Sequence, residues 1–400
     1  MILSNYKACS NWMDDPKWIK FVICILMLMR VNGLQVPITY VKDAVAKGAV
    51  CLDGSPPAYH FHKGFGGGAS NWLIHLEGGG VCYNTSCYER AKTRLGSSTH
   101  MKGKYTFSAI LSNKAKHNPD FYNWNRVKVR YCDGSCYTGD VEAIDPNKKV
   151  YYRGARVWRA VMDDLLAKGM KNAQHAILSG CSAGGMGTIF HCDQFQSLLP
   201  AGAKVKCLSD AGFVINIKDI TGKPFIQQMF AQVLATHGSA KNLPVECTSK
   251  YSAELCFFTE YAARFVKTPL FLLNSDYDSW QITNSFAPEV ADPQGQWKAC
   301  RTSLLKCSSS QLQTLLGFRK MFLAALDSLG NSSTRGYYIN SCFVHCQSKT
   351  QGTWFSADSP RLDNTTIANA IGEWFFDRKI FRAMDCPYPC DKTCHNQVLH

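Results

Sequence analysis

Short apolar runs alternate along the chain with longer stretches whose apolar residues recur every three or four positions. The runs fall at 72–77 (WLIHLE), 126–131 (RVKVRY), 175–179 (HAILS), 204–208 (KVKCL), 269–274 (PLFLLN) and 336–341 (GYYINS), and each has the length of a strand. Helical spacing falls at 154–168, 311–329 and 365–377. Strand runs interleaved with helices predict an α/β fold, a mostly parallel sheet with flanking helices. No internal repeat, low-complexity segment or long Pro/Ser/Gly linker divides residues 34–400, so a single catalytic domain is expected there.

Residues 1–33 break that pattern. Lys17 and Lys20 precede the apolar run Phe21 to Met29, which meets Arg30 and then Gly33. This is the layout of a secretory signal peptide. The run is well short of the ~20 residues that a spanning helix needs. Cleavage near Gly33 is therefore expected rather than retention as an anchor, and no stable membrane association is expected. The 19 cysteines are spread along the chain without zinc-like spacing, which indicates disulfides and an oxidising compartment. Asn84, Asn331 and Asn364 stand in N-x-[ST] triplets as candidate glycosylation sites.

The formal charge is +14, and loss of residues 1–33 removes four basic and two acidic residues to leave +12. A basic secreted protein meets nucleic acid, anionic membrane or acidic polysaccharide. No zinc-finger spacing, RNP-like motif or dense basic run is present, so nucleic acid is not expected and acidic glycan is.

Candidate chemistry centres on ILSGCSAGGMG, residues 177–187, where Gly180, Ser182 and Gly184 satisfy G-x-S-x-G between a strand run and a helical one. In that context Ser182 is a candidate nucleophile on a strained turn. The alternative is a glycine-rich turn with a helix-capping serine. A serine nucleophile needs a histidine and a carboxylate, which in hydrolases of this class follow in the order acid, then base. SDYDSW after the fifth run offers Asp276 and Asp278, and spacing leaves the choice between them open, because either also suits an Asx turn. CFVHCQ after the sixth run offers His345, flanked by Cys342 and Cys346 that are placed to pin it. His191, inside a helix, and His395 and His400, in the tail, are weaker candidates. An oxyanion hole requires backbone N–H groups from Ala183 and from a glycine-rich loop after an early strand, here Gly78, Gly79 and Gly80.

Seven stretches carry a wider likeness: PITYVKDAVAKGAVCLDGSPPAYHF (37–61), LEGGGVCYNTSC (76–87), YCDGS (131–135), GCSAGG (180–185), NSDYDSWQ (274–281), NSCFVHCQ (340–347) and DCPYPCDKTCHN (385–396). Over residues 34–396 the chain resembles the plant pectin acetylesterases, secreted carbohydrate esterases related to the animal carboxylesterase Notum. The resemblance implies an α/β-hydrolase-like fold and hydrolysis of O-acetyl esters of pectin (homogalacturonan) in the cell wall. It makes Ser182 the nucleophile, His345 the base and Asp278 the orienting acid, with Gly79, Gly80 and Ala183 as the oxyanion hole. It implies no metal and no cofactor, and a monomer is expected. Two positions depart from the family pattern: Val81 stands where tryptophan is common, and Cys136 where a small residue is expected. The rival readings are a Notum-like esterase that removes a longer acyl group from a protein, an inactive glycan-binding relative and a serine peptidase.

Of the cysteines, 17 follow residue 33, so at least one is unpaired within a monomer. Cys181, in the crowded turn beside the serine, is the expected free thiol, acting as a small buried filler. Cys82 with Cys87 and Cys300 with Cys307 are expected local pairs. Cys386, Cys390 and Cys394 are expected to staple the tail to the body.

Overall fold

A computed structural model of the chain describes residues 33–144, 149–330 and 332–398. The leader expected over 1–33 lies outside the described residues apart from Gly33, as do Asn331 and His400.

The sheet strands, in chain order, are β1 (Leu34–Tyr40), β2 (Ala58–His62), β3 (Asn71–Leu76), β4 (Lys104–Phe107), β5 (Asn125–Val129), β6 (His175–Cys181), β7 (Lys204–Asp210), β8 (Leu270–Ser275) and β9 (Gly336–Asn340). A small hairpin, β10 (Arg361–Leu362) with β11 (Thr365–Thr366), precedes the last sheet strand, β12 (Arg382–Met384). The 10-stranded sheet runs β12-β9-β8-β7-β6-β3-β5-β2-β1-β4. Every pairing from β12 to β5 is parallel, and β2, β1 and β4 extend the sheet antiparallel.

Both faces of the parallel strands are covered, so β3, β5 and β8 are buried at every position, polar residues such as Asn125, Arg126 and Lys128 of β5 included. Successive side chains go to opposite faces. Leu178, Leu270 and Leu272 pack beneath four helices, α1 (Gly154–Ala167), α2 (Ala183–Ser197), α3 (Phe225–His237) and α4 (Ser309–Asp327). Ile177, Phe271 and Leu273 face α5 (Ile367–Phe375) on the other side. In α1, Val157, Trp158, Val161, Met162 and Leu165 make one buried stripe. At α4 a capping box fixes the start, with Ser308 and Gln311 each satisfying the other's backbone N–H.

All six expected strands and all three expected helices are present, with ends shifted by a few residues. The functional loops leave the carboxyl ends of β3, β6, β7, β8 and β9, which lie next to one another in the parallel part of the sheet. This is the rim at which open α/β sheets bind ligands.

Eight disulfides join the described cysteines. Cys82–Cys87 and Cys300–Cys307 pair as expected, beside Cys51–Cys132, Cys192–Cys207 and Cys247–Cys256. Two expectations are corrected. Cys181 is not free, because it bonds to Cys346 on the loop that carries His345, and the unpaired thiol is the buried Cys136, whose Sγ lies 3.8 Å from the Met186 sulfur. In the tail only Cys394 reaches the body, through Cys342, while Cys386 and Cys390 pair with each other.

Candidate active site

Strand β6 ends at Cys181 and α2 begins at Ala183, so Ser182 alone turns the chain between them. It does so at φ +61° and ψ −126°, a backbone conformation that costs a residue with a side chain on the order of 1–3 kcal/mol. The turn closes because its neighbours lack side chains. A Cβ on Gly180 would sit 2.2 Å from the Gly184 carbonyl oxygen, and one on Gly184 2.2 Å from that of Leu76. Although Ser182 occupies the N-cap position, its hydroxyl caps no helical N–H and lies 2.8 Å from His345 Nε2. The helix-capping alternative therefore fails.

On its other side, His345 Nδ1 lies 2.8 Å from Asp278 Oδ2. Asp278 is fully buried at the first turn beyond β8, and its second oxygen accepts from the Gln281 backbone N–H at 2.9 Å. Asp276 goes elsewhere, pairing with Arg319 of α4 at 2.7 Å. Burial, only partly offset by that guanidinium, pushes its carboxyl up to about 8. Of the two aspartates that spacing left open, only Asp278 meets the histidine. The competing His191 is buried in α2, stacked on Trp158 with ring centroids 4.5 Å apart, and burial lowers it to about 4. His395 is 3.7 Å from Asp358, on the tail.

Two residues of the site carried no signal beyond residue type. Asp210, the last residue of β7, accepts the Ser182 N–H on its backbone carbonyl at 2.9 Å. Its buried carboxylate accepts from Gln347 N at 3.0 Å, Ser348 N at 2.7 Å and Ser348 Oγ at 2.6 Å. One aspartate thus holds both the serine turn and the histidine loop, alongside the Cys181–Cys346 bridge. The other is Trp280, whose ring lies 6.1 Å from that of His345 and 26° from parallel to it.

After β3, Gly78 passes so close to the serine that a Cβ there would lie 2.8 Å from Ser182 Cβ. The loop is held by its carbonyls: Arg90 donates to Gly79 O at 2.6 Å and to Val81 O at 3.0 Å, and the Tyr131 hydroxyl donates to Gly80 O at 2.9 Å. The amide N–H groups of Gly79, Gly80 and Ala183 have no acceptor among the described residues, which leaves these donors available beside Ser182.

Ser182 and His345 open onto a cleft of about 1030 Å³. Its wall carries the cationic Lys102, Lys128, Arg130 and Lys349 with Tyr105, and the apolar Phe225, Met229, Trp280 and Val290. Beside the serine lies a second space of only about 10 Å³, lined by Val81, Met186, Val214 and Phe230. Metal-like groupings among the described residues, such as Cys82, Cys87 and His237, or Cys181, Asp210 and Cys346, are built on cystines, whose sulfurs are not thiolate ligands. Asn84 and Asn364 are exposed. No described helix is long and apolar enough to cross a membrane.

A family model described as Pectinacetylesterase matches residues 29–395. The chain belongs to the pectinacetylesterase family. It is 53% identical to pectin acetylesterase 11 of Arabidopsis thaliana over 94% of this chain and 98% of that one, and 54% identical to pectin acetylesterase 7 over 93% and 96%. It is also 29% identical to the palmitoleoyl-protein carboxylesterase notum1a of Danio rerio, over 62% of this chain and 52% of that relative. Among solved structures, the Drosophila Wnt deacylase Notum superimposes with a TM-score of 0.75 at 20% identity, covering 90% of this chain and all of that one. The likeness gives the fold, a Notum-like α/β architecture. With these relatives, this pectinacetylesterase is a carboxylic ester hydrolase.

Proposed function

We propose that this chain is a secreted serine esterase that hydrolyses O-acetyl esters of pectin and acts outside the cell, on the wall. The observation that carries the reading is the hydrogen-bonded line from Ser182 through His345 to Asp278, at 2.8 Å for each link. An ionised carboxylate only accepts, so His345 donates from Nδ1 to Asp278 and keeps Nε2 to accept the serine proton. Ser182 Oγ attacks the acetyl carbonyl as His345 takes that proton. The tetrahedral oxyanion is met by the amides of Gly79, Gly80 and Ala183. Collapse breaks the bond to the sugar oxygen, which takes the proton from His345 and leaves as a hydroxyl. Water, activated by the same imidazole, then releases acetate from Ser182.

The acyl group is argued from volume. A space of about 10 Å³ beside the serine is close to the size that holds one water, so it favours a small acyl group such as acetyl over a long fatty chain. Val81 lines it where the family pattern has an indole.

The test is acetate release from acetylated pectin by the purified protein beside Ser182→Ala, with acetyl and long-chain synthetic esters in parallel. Ser182→Ala is expected to lower turnover by about 10⁴-fold or more while the protein stays folded. A folded variant of undiminished activity would end the mechanism. Cleavage of the synthetic esters with pectin untouched would end the substrate assignment.

A further inference from the structure

The basic wall of the cleft is under-neutralised. Seven cationic side chains line the cleft, Arg90, Arg94, Lys102, Lys128, Arg130, Arg301 and Lys349, against two carboxylates, Glu77 and Glu289. Arg90 is committed to the glycine loop and Arg301 to Asp292 at 3.2 Å. Glu77 faces three of the others at once: Arg130 at 2.7 Å, Arg94 at 3.3 Å and Lys128 at 3.9 Å. One carboxylate among three cations leaves positive charge to spare, and the exposed Lys102 and Lys349 add to it without an ion-pair partner among the described residues.

Lys128 is the distinctive member. Its side chain is only 6% exposed, its nearest carboxylate oxygen is the one 3.9 Å away, and no hydrogen-bond acceptor reaches its ammonium among the described residues. It lies over the Tyr105 ring, 4.6 Å from the centroid. The stem is packed away while the residue lines the open cleft, so its ammonium offers unfilled donors to whatever enters. His75 sits in register with Lys128 on the next strand and is buried. Burial first, then the charges of Lys128 and Lys349, hold its imidazole well below the ordinary histidine range. His75 therefore adds no charge, and the cationic groups beside it are the lysines that line the same cleft, Lys128 and Lys349.

We infer that Lys128, Lys349 and the Tyr105 ring form a carboxylate-binding subsite that receives the uronate group of a sugar next to the one held at Ser182, so that the enzyme selects acidic over neutral acetylated glycans. The inference rests on the pectin reading above. The geometry suits it: β5, which carries Lys128, lies two strand positions from the nucleophile's strand β6, a lateral distance of roughly 10 Å. The Tyr105 ring fixes where the Lys128 ammonium stands, and the ammonium groups supply the charge-assisted donors that a carboxylate takes best.

The experiment uses unacetylated trigalacturonate and its neutral methyl ester as inhibitors of hydrolysis of a small neutral acetyl ester, in parallel with acetate release from acetylated pectin. For the wild type, the acid is expected to inhibit competitively and at least tenfold more tightly than the methyl ester. In Lys128→Met its inhibition constant should rise about tenfold, and in the exposed Lys349→Gln, where folding is not at stake, severalfold. The constant for the methyl ester should move less than twofold in both. Equal inhibition by acid and ester, or unchanged constants in both variants, would overturn the subsite. Absence of acetate release from pectin would instead overturn the substrate reading, with the inhibition constants still reporting on the subsite.

Discussion

Replacing both Cys181 and Cys346 with alanine separates what holds the fold from what aligns the site. The bridge spans 165 residues of sequence, and the loop-closure relation puts the denatured-state constraint it imposes at about 5 kcal/mol. The smaller rings Cys192–Cys207, Cys247–Cys256 and Cys300–Cys307 lie inside that span. They shorten the free path by roughly a fifth, which a logarithmic dependence barely registers. Stability should therefore fall by about 3–5 kcal/mol, measured by urea unfolding with the other disulfides intact and linear extrapolation to water. Activity should suffer far less, because Asp210 still grips Gln347 and Ser348. The turnover number on a small acetyl ester is expected within about tenfold of the wild type. A stability loss below about 1 kcal/mol, with turnover down a hundredfold, would refute the reasoning and make the bridge a device of the site rather than of the fold.

Asp210→Asn should show the opposite balance, since an amide keeps one acceptor oxygen for Ser348 but sets its NH2 group against the Gln347 N–H; turnover is expected to drop by roughly 10²-fold, with the loss seen in the turnover number more than in KM. Val214→Ala, on the wall of the small acyl space, should raise propionate and butyrate ester hydrolysis relative to acetate by several-fold, at a stability cost of about 1–2 kcal/mol, checked with a chain-length series and thermal unfolding. Because burial raises the folded-state pKa of Asp276 to about 8 from an ordinary 3.8, the native state holds a proton that the unfolded chain has lost. Stability should then decline as pH rises from about 4 to about 8, and Asp276→Asn should flatten that slope in unfolding measurements across the window.

The parallel half of the sheet was legible because buried strands are continuous apolar runs: PLFLLN cannot be placed anywhere but inside. The antiparallel extension was not. β1 and β4 alternate apolar and polar residues, but such short mixed stretches do not stand out as apolar runs, and their partners lie far along the chain, as Leu34 opposite Phe107 illustrates. In the site, the serine turn could be recognised because its glycines and flanking periodicities are local. The choice between Asp276 and Asp278 could not, since it depends on which carboxylate faces His345 and which faces Arg319. Cysteine pairing divides in the same way. Cys82–Cys87 and Cys300–Cys307 close short loops, whereas the partner of Cys181 is set by where β9 delivers the histidine loop. Asp210 went unnoticed because an acidic residue at the end of a strand has no distinguishing neighbourhood until the sheet order is known.

The separation of 163 residues between Ser182 and His345 also has a meaning in time. The serine turn is complete once β3, β6 and β7 have paired, yet its hydroxyl is inert without the imidazole. At roughly 5–20 residues per second, the ribosome delivers that imidazole about 8–30 s after the serine. On the proposed mechanism, a chain stalled before β9 docks carries the serine without its base. On that mechanism competence thus waits on the segment that follows β8, which makes hydrolysis a report that β9 and its loop have docked.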